Sequence, residues 1–162
     1  MQIQRLIFDT TYILPLFGIK ITDLSKINEG IKIIWEKGIK DFEIYLPTIC
    51  LIEVLYKLIR EYRNTNNYEI LKRYPIAIPT IMTSQNVNLF DPHLNSTASQ
   101  ISLIIRHSGH IDIMDCLIAA SAAALNGILL TEDNELKNRL KNIPETKIIP
   151  TWSWSELVNK II

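Results

Sequence analysis

The chain has 162 residues, 48% of them apolar and 21% charged, which suits a single domain over 1–162 with a buried core. Lysine plus arginine and aspartate plus glutamate number 17 each, so no global field draws the chain to nucleic acid, although a local basic rim fits that balance. No apolar run reaches the roughly 18 residues of a membrane span, and Met1 to Asp9 has none of the basic, apolar and small-residue regions of a signal peptide, so a cytoplasmic protein is expected.

In chain order, Arg5 to Asp9 reads as an apolar strand ending at a polar Asp-Thr-Thr. Leu24 to Glu36 has helical spacing through Leu24, Ile27, Ile31 and Ile34, with Gly38 as its stop. Phe42 to Leu46 reads as a second strand, closed by Pro47. Thr48 is placed to cap a helix running to about Tyr62, with an apolar stripe of Leu51, Ile52, Leu55, Leu58, Ile59 and Tyr62. Asn64, Asn66 and Asn67 mark a turn, followed by a short helix before Pro75 and Pro79. Asn86 to Phe90 reads as a strand and Ser96 to His107 as a helix. A strong helix runs from Asp112 to Leu125 and closes on Asn126-Gly127 as a left-handed cap. Ile128 to Leu130 is a short buried strand, Glu135 to Leu140 a helix, Lys147 to Ile149 a last strand and Ser153 to Ile161 a last helix. This alternation predicts an α/β fold, a three-layer α/β/α sandwich with a mainly parallel central sheet.

Four acids sit in apolar or small-residue surroundings: Asp9, Glu53, Asp115 and Asp133. A carboxylate beside a buried strand is costly unless something pairs with it. Asp9 and Asp133 follow apolar strands, and Glu53 and Asp115 lie in early helical turns, so topology predicts convergence at the carboxyl end of the sheet. Such a set points to a divalent-metal site. Each acid also has a plainer reading. Asp9 fits a turn cap, and Glu53 fits a helix surface paired with Lys57 at i+4. Asp112 has the pattern of an N-cap, which leaves Asp115 in the first turn as the functional acid. Asp133 fits a cap for the helix that follows it, and Glu135 is either an extra ligand or a first-turn acid. Cys50 and Cys116 lie in apolar stretches without C-x-x-C spacing and read as buried reduced thiols rather than zinc ligands.

Taken with their neighbours, these residues resemble the PIN domain family, metal-dependent ribonucleases that include the VapC toxins. The matching stretches are Leu6-Ile7-Phe8-Asp9-Thr10-Thr11, then Leu46-Pro47-Thr48 with Ile52-Glu53. Asp115-Cys116-Leu117-Ile118-Ala119-Ala120 and Leu129-Leu130-Thr131-Glu132-Asp133-Asn134-Glu135-Leu136 are the more specific pair. The chain departs from the family in carrying Thr11 where Asn or Ser often stands, and residues 64–112 match no sharp motif.

The resemblance implies an endoribonuclease that hydrolyses phosphodiester bonds with Mg²⁺ or Mn²⁺, ions that favour oxygen ligands. Asp9, Glu53, Asp115 and Asp133 would be the ligands. Thr131 would hold Asp133, and Thr10 or Thr11 would hold Asp9. Lys57 and Arg60 share a face with Glu53 and would meet substrate phosphate, as would Arg106. His107, His110, Lys137, Arg139 and Lys141 extend the candidate basic rim. Trp152 and Trp154 are expected to pack the last helix. The family role implied is the toxin of a type II toxin–antitoxin pair, with RNA as substrate, a small antitoxin as partner, a homodimer as assembly and no membrane association. Two other readings remain: a non-cleaving PIN-like module that binds RNA or protein, and a Mg²⁺ phosphatase. The phosphatase pattern wants an aspartate where Thr11 stands. No G-x-G-x-x-G or G-K-[ST] sequence supports a nucleotide-binding loop.

Overall fold

In a computed structural model describing residues 3–24 and 26–161, the run Gln4–Phe8 forms strand β1, and Leu6, Ile7 and Phe8 within it are fully buried. Burial on both faces places a strand inside a sheet covered by helices. β1 pairs in parallel with β2 (Phe42–Pro47) on one side and β4 (Ile128–Leu130) on the other. β3 (Val87–Phe90) adds beyond β2 and β5 (Thr151–Trp152) beyond β4, also in parallel, so the order is β3-β2-β1-β4-β5. The winding direction reverses between β1 and β4. At such a switch point the loops leaving adjacent strands diverge and open a crevice beyond the carboxyl ends.

The helices flank this sheet: α1 (Ile27–Lys37), α2 (Ile49–Thr65), α3 (Glu69–Met82), α4 (Ser96–His107), α5 (Ile113–Ala124), α6 (Asn134–Asn142) and α7 (Trp154–Ile161). α5 buries Cys116, Ile118, Ala119, Ala120, Ser121 and Ala122 against β1, β2, β4 and α4. Its small side chains let it lie close to the sheet, which brings Asp115 in its first turn over the end of β1. Asn126 takes the left-handed conformation at φ 49°, and the Gly127 amide returns to the Ala122 carbonyl, as the Asn-Gly pair predicts. Trp154 is buried and stacks on Tyr12, so it packs α7 against the sheet layer. No helix is long and apolar enough to cross a membrane among the described residues.

Four expectations need correction. The helix expected to stop before Pro75 continues through Pro75 and Pro79 to Met82. Both prolines are exposed, while Ile70, Tyr74, Ala77 and Ile81 form an unbroken inward stripe. Burial of that stripe outweighs roughly 3 kcal/mol of helix penalty per proline. The last strand is Thr151–Trp152 rather than Lys147–Ile149. The stretch from Ile143 to Ile149 is spent on turns, with Thr146 Oγ1 donating to the Leu140 carbonyl at 2.8 Å, and β4 meets the chain only from Pro150 onward. Thr48 stands at the N-cap of α2 as expected, but its side chain makes no cap bond, and its hydroxyl donates instead to Asp91 Oδ1 at 2.7 Å. Finally, α2 buries Cys50, Val54 and Leu58, leaving Ile52, Leu55 and Ile59 of the expected inward stripe facing out. Residues of mixed size and polarity at nearly every position make that helix ambiguous until its neighbours are known. One feature had no local signal: Thr10–Phe17 forms a 3-10 helix that buries Tyr12, Ile13, Leu14 and Phe17.

Candidate metal centre

β1 ends at Phe8, and the Asp9 amide continues the ladder by donating to the Leu130 carbonyl of β4 at 3.1 Å. The Asp9 side chain therefore stands at the switch point. α2 leaves the end of β2 and brings Glu53 beside it, and the first turn of α5 adds Asp115. One carboxylate oxygen from each of Asp9, Glu53 and Asp115 lies within 4.8 Å of the others. Asp133, at the end of β4, does not join this triad. It groups instead with Asp115 and His110, again within 4.8 Å. The four predicted acids thus form two groups that share Asp115.

The supporting bonds differ from those expected. Thr131, fully buried, donates to Asp9 Oδ2 at 2.7 Å and accepts from the Asp133 amide at 3.2 Å. Its proton therefore serves Asp9, not the Asp133 carboxylate. Thr10 donates to Glu53 Oε2 at 2.5 Å rather than to Asp9, and Lys57 pairs with Glu53 Oε1 at 2.9 Å. Asp112 caps α5 through the Met114 amide at 2.8 Å, and Asp133 caps α6 through the Leu136 amide at 2.9 Å. The cap and site readings of Asp133 are therefore compatible. Glu135 is exposed and bound to Arg139 at 3.3 Å, outside both groups.

Burial pushes the Asp9 carboxyl up to about 7, and the nearby charges of Asp115 and Glu53 push the same way against the Thr131 hydrogen bond. Burial also raises Asp115, opposed by its bond to His110 and aided by the charges of Asp112 and Glu53. Acids that resist ionisation because they are buried, and secondarily because they lie near one another, are relieved by a cation placed between them. Cys50 and Cys116 are buried and free, as expected, and burial lifts both thiols above their ordinary value.

Among the candidate basic residues, Lys57 reaches the acids directly. Arg60 is exposed one turn further along α2. Arg106 donates to the His110 carbonyl at 3.3 Å and props the loop before α5. His110, expected on a basic rim, is buried, and its Nε2 lies 3.2 Å from Asp115 Oδ2. The sequence signal for it was only a histidine five positions before Asp115. Glu132 was also unforeseen: its Oε1 accepts from the Tyr12 hydroxyl and the Trp154 amide, both at 2.6 Å.

A family model described as PIN domain matches residues 6–142. No curated protein sequence matches the chain. Similar solved structures include VapBC2 from Rickettsia felis bound to a promoter DNA fragment, 14% identical with a TM-score of 0.59, covering 93% of this chain and 99% of that one. VapBC-1 from nontypeable Haemophilus influenzae is 18% identical with a TM-score of 0.56, covering 94% of this chain and 99% of that one. A toxin–antitoxin complex from Klebsiella pneumoniae is 18% identical with a TM-score of 0.50, covering 88% and 94%. At these identities the likeness concerns the fold.

Proposed function

The chain belongs to the PIN domain family, and from that membership and its acid cluster we propose that it is a divalent-metal-dependent endoribonuclease, the toxin of a toxin–antitoxin pair. The observation that carries this reading is the convergence of Asp9, Glu53 and Asp115 at the switch point of the sheet. Their donor set fits a hard divalent ion such as Mg²⁺ or Mn²⁺: all oxygen, anionic, and mutually repelling without a cation. When bound, such an ion polarises a phosphodiester and the water that attacks it.

The protein's own groups hold this arrangement. Thr131 fixes the orientation of Asp9, and Thr10 fixes that of Glu53. Lys57 supplies positive charge at the edge of the acids, where a substrate phosphate would approach. Arg60 extends that charge along α2, whereas Arg106 acts through the loop it props. The buried Thr131 and the apolar strand ends keep bulk water from the inner side of the triad, which strengthens every charge interaction there.

The solved toxin–antitoxin relatives support a small antitoxin as partner. On α2 the exposed Ile52, Leu55, Tyr56 and Ile59 follow helical spacing and offer that partner an apolar face next to the acids. A cytoplasmic homodimer built from one nuclease domain per chain completes the proposal.

The test is incubation of the purified protein with single-stranded and structured RNA in Mg²⁺, Mn²⁺ or EDTA, beside Asp9→Asn and Asp115→Asn. Cleavage is expected only with metal and only in the unsubstituted protein. Cleavage that persists in EDTA or in both variants would remove the site. Binding of RNA without cleavage under every condition would favour a non-cleaving module.

A further inference from the structure

Both carboxylate oxygens of Glu53 are engaged. Oε2 accepts from the buried Thr10 hydroxyl at 2.5 Å, and Oε1 pairs with the Lys57 ammonium at 2.9 Å. A lysine at i+4 from a glutamate is also an ordinary helix-surface pair, in which both groups stay hydrated. The setting of this pair is different. The Glu53 side chain is 18% exposed and that of Lys57 29%, and a Glu53 oxygen lies within 4.8 Å of oxygens from Asp9 and Asp115. Among the described residues, no other lysine or arginine pairs with an acid of the triad. Lys57 therefore places an ammonium against the same acids that a divalent ion would neutralise.

The two bonds respond differently to a cation. The Thr10 hydroxyl is neutral and can keep its bond while the carboxylate binds an ion. The Lys57 ammonium carries a full charge, and a divalent ion on the same carboxylate repels it. Its flexible four-carbon stem lets the ammonium leave without a shift of α2. The next cation on that face of the helix, Arg60 at i+7 from Glu53, is exposed. A nucleic-acid backbone held by Arg60 would follow the row that ends at Lys57. We propose that Lys57 is an exchangeable counter-ion: it holds Glu53 in the metal-free protein, competes there with the divalent ion, and passes to a phosphate of bound RNA, so that metal and RNA favour each other's binding. The inference rests on the metal and RNA reading above and adds the residue that couples the two. Such coupling is reciprocal, so the factor by which RNA tightens metal is the factor by which metal tightens RNA.

The test uses the full chain, stripped with chelator and titrated calorimetrically with Mg²⁺, with and without a mixed-sequence single-stranded RNA. The RNA carries phosphorothioate linkages, which keep the backbone charge and slow hydrolysis. In the parent protein RNA should tighten Mg²⁺ binding about tenfold, within the usual range of coupling between two sites. Lys57→Met keeps the stem without the charge. It should bind Mg²⁺ alone roughly fivefold tighter or more, because the competing charge is gone, and it should lose most of the RNA effect. Lys57→Arg keeps the charge and should retain the coupling. Fluorescence polarisation of labelled RNA reads the other side: Mg²⁺ should tighten RNA binding in the parent and in Lys57→Arg but not in Lys57→Met. An ordinary helix pair would leave the Mg²⁺ affinity of Lys57→Met unchanged. Unchanged or weaker Mg²⁺ binding in that variant, or an RNA effect as large as the parent's, would overturn the exchange and leave the metal site in place. Absence of Mg²⁺ binding in the parent would overturn both. Coupling of this kind in a protein that cuts no RNA would sink the nuclease reading and leave this one standing.

Discussion

The Thr131 hydroxyl donates to Asp9 Oδ2 at 2.7 Å, linking residues 122 positions apart across the β1–β4 junction. It is the one side-chain bond that stabilises the ionised form of the most strongly perturbed acid in the cluster. Thr131 is fully buried, so water cannot replace it. Thr131→Val keeps the shape and removes the donor. A hydrogen bond to a charged group is worth about 1.5–3 kcal/mol, so Mg²⁺ affinity should fall roughly ten- to a hundredfold. Calorimetric titration of the variant checks this, and an unchanged affinity would show that Thr131 acts only in packing.

Asp9 gives the metal-free protein a definite pH dependence. Its carboxyl loses a proton near 3.8 in the unfolded chain and near 7 in the folded one. Between those values the folded state holds a proton that the unfolded state has released. The resulting stability is complete below about 3.8 and is lost as pH rises through about 7. The slope from this group is at most about 1.4 kcal/mol per pH unit. Asp115 shifts in the same direction and adds to it. Urea unfolding of chelator-treated protein across this range should show stability falling with pH. Saturating Mg²⁺ should abolish the fall, because the ion needs the ionised acids. Asp9→Asn should flatten the slope without metal.

Glu132 tests the boundary between scaffold and site. Its Oε1 takes the Tyr12 hydroxyl and the Trp154 amide, and so ties the 3-10 helix to the start of α7. Glu132→Ala would remove the carboxylate that both bonds share, at about 1–3 kcal/mol for each bond lost. A loss of roughly 2–5 kcal/mol in urea unfolding is expected, with metal affinity within a few-fold of the parent. A large loss of metal binding in folded protein would place Glu132 among the ligands.

The reach of the sequence differs from residue to residue. Asp9 and Asp133 were legible because each follows an apolar strand, and Asp115 because an Ala-rich helix follows it. Those are local patterns, and the parallel sheet places their ends together. The partners of the two threonines were not legible. Thr10 and Thr131 each sit next to an acid in sequence, yet each donates to an acid from another element. His110 was hidden for a related reason. Its burial depends on the turn at Gly109 and on two arginine contacts, none of which leaves a periodic trace. α3 was misjudged because the proline penalty is local, whereas the burial that offsets it comes from tertiary packing.

Gly127 controls the approach of the two strands that carry the site. It is buried immediately before β4, and a Cβ there would meet the Arg5 carbonyl oxygen at 2.9 Å and collide with Ile7 Cδ1. The first neighbour is backbone of the central strand and cannot move aside cheaply. Gly127→Ala must therefore push β4 away from β1, at a cost of about 1–3 kcal/mol. For a chain of this size that lowers Tm by roughly 2–4 °C per kcal/mol. Displacing β4 also stretches the Thr131–Asp9 bond, so Mg²⁺ affinity should fall together with Tm. The comparison with Glu132→Ala separates the two effects: both variants lose stability, but only Gly127→Ala should lose metal. A Gly127→Ala protein that melts lower yet binds Mg²⁺ as tightly as the parent would break the link between strand spacing and the acid cluster.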